Sequence, residues 1–250
     1  METERCASEL EHHPGVTTFP TIELDGVPAV TGEQMREVDR LMIEEIGIDL
    51  ARMMENAGAN LATLAINTFG PRSVCVLVGR GGNGGGGLTA ARHLANRGVD
   101  VTAVPADDAT RFTPIPQQQL DILRRMDLEV VDQPFRADLV IDALIGYSLH
   151  GSPRGRAAEL IRWANSMDDP VLSLDVPSGL DATTGEASEP CVQATSTMTL
   201  ALPKTGLRSA SDTVGRLYLA DISVPPIVYA RIGMTVPSLF AKSTIIELTR

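Results

Sequence analysis

The chain has 250 residues, of which 43% are hydrophobic, so it can bury one full core and we expect a single domain of the larger α/β kind. Its formal net charge of −11 and its aromatic content of 4% argue against nucleic acid as a partner, because phosphate repels acidic surfaces and bases need rings to stack on. The sequence contains neither an apolar stretch of transmembrane length nor a signal-peptide pattern, so we expect no membrane partner.

The cysteines are odd in number and widely spaced, at Cys6, Cys75 and Cys191. This spacing fits neither a zinc site nor a disulfide framework. Free thiols are typical of a reducing compartment, so the sequence predicts a cytoplasmic protein.

The N-terminal part of the chain differs in character from the rest. Residues 1–28 are mixed and polar, and we predict a poorly ordered tail followed by one domain over residues 29–250. His12 and His13 in this tail could bind a metal, although a solvated tail is the more common meaning of such a pair. Thr31 and Gln34 have the spacing of a capping box, which predicts that a helix begins there.

After a second predicted helix over residues 49–67, short apolar runs alternate with helical patterns. We predict strands at 74–78, 99–104, 128–131, 137–144, 171–176, 197–202 and 216–219, and helices at about 85–97, 115–126 and 154–166. This alternation is typical of βαβ units and predicts a mostly parallel sheet. The ligand cleft of such a sheet lies at the carboxyl ends of its strands.

A glycine-rich segment follows the first of these strands, from Gly79 to Gly87. Gly79, Gly81 and Gly84 fit the pattern G-x-G-x-x-G between a strand and a helix, which favours phosphate binding at the helix N-terminus. The missing Lys-Ser/Thr pair excludes a Walker loop, and the acid expected after the second strand of a dinucleotide fold has only a loose match. The alternative is a tight turn that packs the helix on the strand.

Two aspartates, Asp142 and Asp175, end apolar strands on the same predicted edge of the sheet. A carboxylate in such a place needs a proton, a cation or hydrogen-bond donors, so both are candidate functional residues, although each could also cap the loop that follows it. Ser178 lacks the context of a nucleophile elbow and is better interpreted as an oxygen ligand or a turn former. The oxygens of Asn83, Asp142 and Ser178 would suit a monovalent cation better than zinc.

Five ordered motifs give the chain a specific resemblance over about residues 30–230. They are Met54-Glu-Asn-Ala-Gly58, the glycine segment with Leu88 and Ala91-Arg-His-Leu94, Val140-Ile-Asp-Ala-Leu-Ile-Gly146, Asp175-Val-Pro-Ser-Gly179 and Leu202-Pro-Lys-Thr-Gly206. With these motifs the chain resembles the YjeF N-terminal domain family, the NAD(P)H-hydrate epimerases, whose animal members are also called apolipoprotein A-I-binding proteins.

The resemblance implies a Rossmann-like three-layer αβα sandwich and a homodimer. It also implies repair of nicotinamide cofactors: the R and S epimers of hydrated NAD(P)H, called NAD(P)HX, would be interconverted so that a separate dehydratase can restore NAD(P)H. Asp175 is our candidate for the group that transfers the proton in this isomerisation, which needs an acid for the leaving hydroxyl and a base for the incoming water.

The resemblance also implies the site residues. Potassium would be held by Asn83, Asp142 and Ser178. The implied substrate contacts are Gly82, Asn83, Gly84, Gly85, Gly86, Gly146, Tyr147, Ser148, Leu149, His150, Gly151, Ser152 and Asp175.

The chain departs from the family pattern at three positions. Gly82 and Gly86 stand where the family usually has Asn and Asp, and His150 replaces a common lysine. Backbone N–H groups can still hold phosphate at the two glycines, but side-chain contacts to the substrate are lost there. A noncatalytic nucleotide-binding or scaffolding protein on the same fold is therefore the alternative hypothesis.

Overall fold

The computed structural model describes residues 19–250 and contains one sheet; Cys6, His12, His13 and the rest of the predicted tail up to residue 18 lie outside the described residues. The strands are β1 (Thr21–Glu23), β2 (Ser73–Val78), β3 (Asp100–Pro105), β4 (Glu129–Val130), β5 (Leu139–Ala143), β6 (Val171–Leu174), β7 (Ser196–Leu200), β8 (Arg216–Ala220) and β9 (Ile245–Thr249). They follow one another across the sheet in the order β1-β9-β8-β7-β6-β5-β2-β3-β4.

Helices cover the sheet and join its parallel strands. They are α1 (Gly32–Arg40), α2 (Leu50–Phe69), α3 (Gly82–Ala95), α4 (Pro114–Arg125), α5 (Gly155–Ser166), α6 (Ser211–Val214) and α7 (Pro226–Arg231). A π-helical turn, Leu41–Ile46, continues α1. Between residues 19 and 250, no helix is both long enough and apolar enough to cross a membrane.

The predicted α/β fold with a mostly parallel sheet is confirmed. Every neighbouring pair of strands is parallel except β8 and β9, which are antiparallel. The chain runs outward from β2 through β3 to β4 and then returns to β5 on the other side of β2. This reversal makes the β2/β5 boundary the point where an open α/β sheet forms a crevice at its carboxyl edge.

Local capping signals fix where the first helices begin. The Thr31 side chain accepts a hydrogen bond from Gln34 N at 3.1 Å, and the Thr31 N–H donates one to Gln34 Oε1 at 2.9 Å, so the predicted capping box is confirmed. Asp49 caps α2 in a similar way, by accepting from Arg52 N at 2.9 Å.

The predicted tail boundary at residue 28 is wrong, because residues 19–28 belong to the folded unit. β1 pairs with β9 in parallel register, with Ile22 opposite Leu248. Strand β9 was also absent from the sequence prediction. β1 has only three residues and lies at the edge of the sheet, so it shows almost no periodicity, and only its pairing with β9 identifies it as a strand.

The glycine segment is mostly helix, and its glycines mainly allow close packing. Helix α3 begins at Gly82, three residues before the predicted start. A Cβ on Gly84 would lie 1.7 Å from the Gly79 carbonyl oxygen, and one on Gly79 would lie 1.8 Å from that of Leu144. One on Gly87 would lie 2.4 Å from Ala143 Cβ. The tight-turn alternative therefore accounts for these three glycines.

We expect Gly84→Ala to destabilise the fold, because its methyl group has no space against the Gly79 carbonyl. Overpacking of this kind costs about 1–3 kcal/mol or more in the free energy of unfolding, measured by urea denaturation. Gly82→Ala is the matched control, since only Met54 Cε approaches its Cβ, at 3.8 Å, and its stability should stay within about 1 kcal/mol of wild type. Equal losses in both variants would contradict this account.

Candidate active site

A cavity of about 260 Å³ lies at the carboxyl edge of the sheet, beside the β2/β5 boundary. Its apolar wall comes largely from the helices α1 and α2 and from the strand ends. Among its lining residues are Met35, Leu50, Met53, Met54, Ala57, Leu174, Leu200 and Ile222. The polar side chains that face it are those of Asp39, Asn83, Tyr147, Ser148, Asp175 and Lys204. An apolar enclosure with a few convergent polar groups is typical of a site for a small organic ligand.

Asp175 follows β6 directly and has an unusual backbone conformation. Its φ of +70° lies in the left-handed region, which a residue with a Cβ rarely adopts. Its N–H donates to the Met198 carbonyl at 2.8 Å, and the side chain is buried. Strained backbone of this kind is concentrated at functional sites, where the surrounding structure holds a side chain in one direction.

The Asp175 carboxylate forms an ion pair with Lys204, whose ammonium group is fully buried. Lys204 Nζ also donates to the Leu200 carbonyl at 2.9 Å and to Thr199 Oγ1 at 3.4 Å. The second carboxylate oxygen, Oδ2, accepts from Tyr147 N at 3.0 Å. Because both charges are buried and both are hydrogen-bonded, the pair is fixed in place inside the cavity.

Tyr147 connects Asp175 to a second carboxylate. Its phenol donates to Asp39 Oδ2 at 2.5 Å, while its ring lies 5.9 Å from Lys204 Nζ. Asp39 belongs to α1, so this contact joins the helix layer to the loop after β5. One residue therefore holds two carboxylates, one at its backbone nitrogen and one at its phenolic oxygen.

Burial raises the pKa of Asp39 above its ordinary value. The Tyr147 hydroxyl and the Lys204 charge act in the opposite direction on this pKa, and the Asp175 charge acts in the same direction as burial. The pKa of the Tyr147 phenol is also raised, first by burial and then by the Asp39 charge, so the tyrosine stays protonated and donates its hydrogen bond.

Asp142 lies behind the cavity wall and is fully buried in β5. Its carboxylate accepts from Ser178 Oγ at 2.6 Å, Ser178 N at 2.9 Å, Ser173 Oγ at 2.8 Å and Leu144 N at 3.2 Å. Within residues 19–250 it has no cationic side chain in ion-pair distance, and burial raises its pKa. The fold thus brings Asp142 and Ser178 together.

Asn83 approaches the site from the first turn of α3. A Cβ on Gly146 would lie 3.1 Å both from Asn83 Oδ1 and from Asp175 Oδ2, so the absence of a side chain there lets the amide and the carboxylate converge. The amide nitrogen Nδ2 is buried and has no hydrogen-bond partner among the described residues. A buried donor of this kind is one that a ligand could satisfy.

The predicted substrate contacts divide into three groups. Gly82, Asn83, Gly86, Gly146, Tyr147, Ser148 and Asp175 line the cavity. Gly84 and Gly85 are buried in the first turn of α3, against the Gly79 backbone and the Met54 sulfur. Leu149, Gly151 and Ser152 line a separate surface pocket, and His150 lines neither of the two. The substrate roles of all these residues stay predictions.

Sequence reasoning assigned no role to Lys204 or Asp39. Lys204 belongs to the last of the five motifs, and it follows β7 at the same edge of the sheet as the two aspartates. Asp39 lies four residues after Met35, so it falls beside the apolar face of α1. A charge beside an apolar stripe and a lysine after a buried strand are signals that could have identified both residues.

Comparison with known proteins shows to which family this chain belongs. The family described as YjeF-related protein N-terminus matches residues 50–206. An NAD(P)H-hydrate epimerase of Dehalogenimonas lykanthroporepellens is 46% identical over 86% of this chain and 90% of its own length. One of Truepera radiovictrix is 36% identical over 82% and 94%.

One further relative and one solved structure extend the comparison. A bifunctional NAD(P)H-hydrate repair enzyme of Hyperthermus butylicus is 39% identical, and the match covers 81% of this chain and 40% of that protein. The crystal structure of yeast ynu0 superposes with a TM-score of 0.79 over 89% of this chain and 100% of its own, at 23% identity, and so shares the fold. The resemblance found in the sequence is confirmed, and the chain belongs to the YjeF-related N-terminal family.

Proposed function

We propose that this chain is an NAD(P)H-hydrate epimerase, an isomerase that interconverts the R and S epimers of NAD(P)HX. Relatives of 46% and 36% identity carry this name and match the chain over most of its length. The structural observation that carries the proposal is the Asp175–Lys204 pair, which holds an oriented carboxylate in a cavity with an apolar wall.

The reaction exchanges the hydroxyl group at C6 of the hydrated nicotinamide ring between two faces. Loss of the protonated hydroxyl is assisted by the lone pair of the ring nitrogen, which leaves a planar iminium ion. Water then adds to the opposite face, and a base takes its proton. Asp175 is suited to this proton transfer because the ion pair and the strained backbone fix its position.

The first turn of α3 is suited to the phosphate groups of the dinucleotide. Gly81 caps this helix without a side chain, and the first helical hydrogen bond runs from Gly85 N to Gly81 O at 3.1 Å. The N–H groups that precede this bond in the chain have no carbonyl partner within the helix, and they lie at the positive end of the helix dipole. The N–H of Gly82 is among these early groups and could hold phosphate, whereas Gly86 follows the first helical hydrogen bond and its N–H belongs to the helix.

Potassium is the cation that we propose for Asn83, Asp142 and Ser178. Asp142 and Ser178 fit it, because their oxygens are in contact and Asp142 is a fully buried carboxylate without a cationic partner among the described residues. Ser178 Oγ lies 3.1 Å from the Ile145 carbonyl oxygen and adds neutral oxygen to the cluster. A bound potassium ion would compensate the buried charge and fix the loop after β5.

We further propose a cytoplasmic homodimer that works with a separate dehydratase on the same metabolite. Bifunctional relatives are named as NAD(P)H-hydrate repair enzymes, which supports a functional link between the two steps. Cys75 and Cys191 are both buried free thiols, as expected in a reducing compartment. Light scattering of the purified protein would test the dimer.

A coupled assay tests the proposed function. A dehydratase specific for one epimer consumes only part of an epimer mixture, and we expect the wild-type protein to accelerate consumption of the remainder. The control is the same mixture without the protein, which reports the uncatalysed rate. If nucleotide binds but the remainder is consumed only at that rate, the noncatalytic alternative is favoured.

We expect Asp175→Asn to lower the epimerisation rate by about 10²–10⁴-fold, because it removes the group that transfers the proton. It should also cost about 3–5 kcal/mol of stability, since Lys204 is left buried without its partner. The double variant Asp175→Asn, Lys204→Met separates the two effects. Its stability should recover much of this loss while its rate stays low, as measured by urea unfolding and the coupled assay. Recovery of the rate would contradict the catalytic role.

Replacing potassium with tetramethylammonium at constant ionic strength should lower both the rate and the midpoint of thermal unfolding. Asp142→Asn should remove both responses, because it removes the charge that the cation compensates. Asp138→Asn is the matched control: this half-exposed carboxylate comes directly before the same strand, and the variant should keep the wild-type response. A wild-type protein indifferent to the exchange of cations would overturn the potassium assignment.

A further inference from the structure

Asp39 reaches the cavity from α1, on a different layer of the fold from Asp175. Its Oδ2 accepts from the Tyr147 phenol at 2.5 Å, while its Oδ1 has no hydrogen-bond partner within residues 19–250. No hydrogen bond joins the two carboxylates in this part of the chain. They lie at the opposite ends of Tyr147, since its backbone nitrogen contacts Asp175 and its hydroxyl contacts Asp39.

Inversion at C6 requires proton transfer on both faces of the nicotinamide ring, which a single fixed carboxylate cannot readily provide. The hydroxyl leaves from one face of the ring and water enters at the other. A single fixed group can serve only the face that it touches, unless the ring turns over in the cavity. Asp175 is held on both of its oxygens, by Lys204 and by Tyr147, so it cannot swing from one face to the other.

We infer that Asp39 is a second catalytic residue, which serves the face of the nicotinamide ring opposite to the face served by Asp175. This inference rests on the proposed epimerase function. In this arrangement Tyr147 is a positioning residue, because it acts through Asp39 and through its backbone contact with Asp175. The two carboxylates act as an acid and a base that exchange roles with the direction of the reaction.

Protons and bonds balance in the proposed epimerisation. Protonated Asp39 gives its proton to the departing hydroxyl, the C6–O bond breaks, and water leaves as the ring nitrogen forms the iminium ion. Water adds to the other face through a new C6–O bond, and the Asp175 carboxylate accepts a proton from it. Return of that proton to Asp39 through solvent restores the starting state, and the opposite epimer follows the same steps in reverse.

The charges around Asp39 are consistent with an acid in this place. Arg36, on the same helix as Asp39, lowers the pKa of the Tyr147 phenol. At the sheet edge, the charge of Lys204 lowers the pKa of Asp39 and the charge of Asp175 raises it. Burial is the largest influence and raises the pKa of Asp39, which favours the protonated form that donates to the leaving hydroxyl. Asp175, which is paired with Lys204, serves as the base in this direction of the reaction.

Oxygen exchange from H₂¹⁸O separates the two faces. In wild type we expect label in the C6 hydroxyl of both epimers, because both faces are served. Asp39→Asn should lower epimerisation by about 10²–10⁴-fold, yet still exchange label into one epimer, the one whose hydroxyl faces Asp175. Glu33→Gln, an exposed acid in the first turn of the same helix, is the matched control and should behave as wild type.

The outcomes are distinct after subtraction of the uncatalysed exchange. Label in one epimer only supports the assignment, whereas equal exchange into both epimers, or loss of exchange from both, overturns it. If wild type does not epimerise, the proposed function itself fails. If wild type epimerises and Asp39→Asn does so at the same rate, only the role of Asp39 fails.

Tyr147→Phe provides a second test that keeps the ring and the backbone contact. Loss of the phenol removes a hydrogen bond that stabilises the ionised Asp39, so the pKa of Asp39 should rise. In pH profiles of the exchange rate, the limb that belongs to Asp39 should move to higher pH. This measurement decides the question even if Asp39→Asn fails to fold, and an unchanged profile would overturn the proposal.

Discussion

The candidate site depends on a buried ion pair between Asp175 and Lys204. Two charges removed from water are stabilising only when their geometry and their remaining hydrogen bonds offset the loss of hydration. Here Lys204 has two further acceptors, and the second oxygen of Asp175 accepts a backbone N–H. The pair therefore ties together the ends of β6 and β7 and the loop after β5, which are distant in sequence.

Close backbone packing around α3 explains how the first turn of this helix reaches the site. Glycines at positions 79, 84 and 87 let the helix lie directly against β2, β5 and the loop that follows β5. The first turn of α3 is thereby brought to the carboxyl edge of the sheet, where Asn83 lies near the Gly146 backbone. The same glycines that allow this packing also produce the G-x-G-x-x-G pattern of the sequence, so close packing is sufficient to explain that pattern at these three positions.

The cavity combines an apolar wall with groups of opposite charge. Methionines and aliphatic side chains exclude water from one side, which strengthens the electrostatic interactions among Asp39, Tyr147, Asp175 and Lys204. Asp142 lies outside this set, because its carboxylate is enclosed by serine hydroxyls and backbone donors rather than by the cavity. Its position is that of a residue that shapes the loop after β5.

The sequence by itself determined the alternation of strands and helices, the mostly parallel sheet and the edge at which Asp142 and Asp175 lie, because these follow from local periodicity and strand direction. It also determined the first helix start, through the Thr31 capping box, and the family, through five ordered motifs. Tertiary structure alone decided that residues 21–23 join β9, because so short a strand has no period of its own. It also decided that Lys204 pairs with Asp175 and that Asp39 pairs with Tyr147, since contacts between residues 29 and 108 positions apart leave no pattern in the sequence.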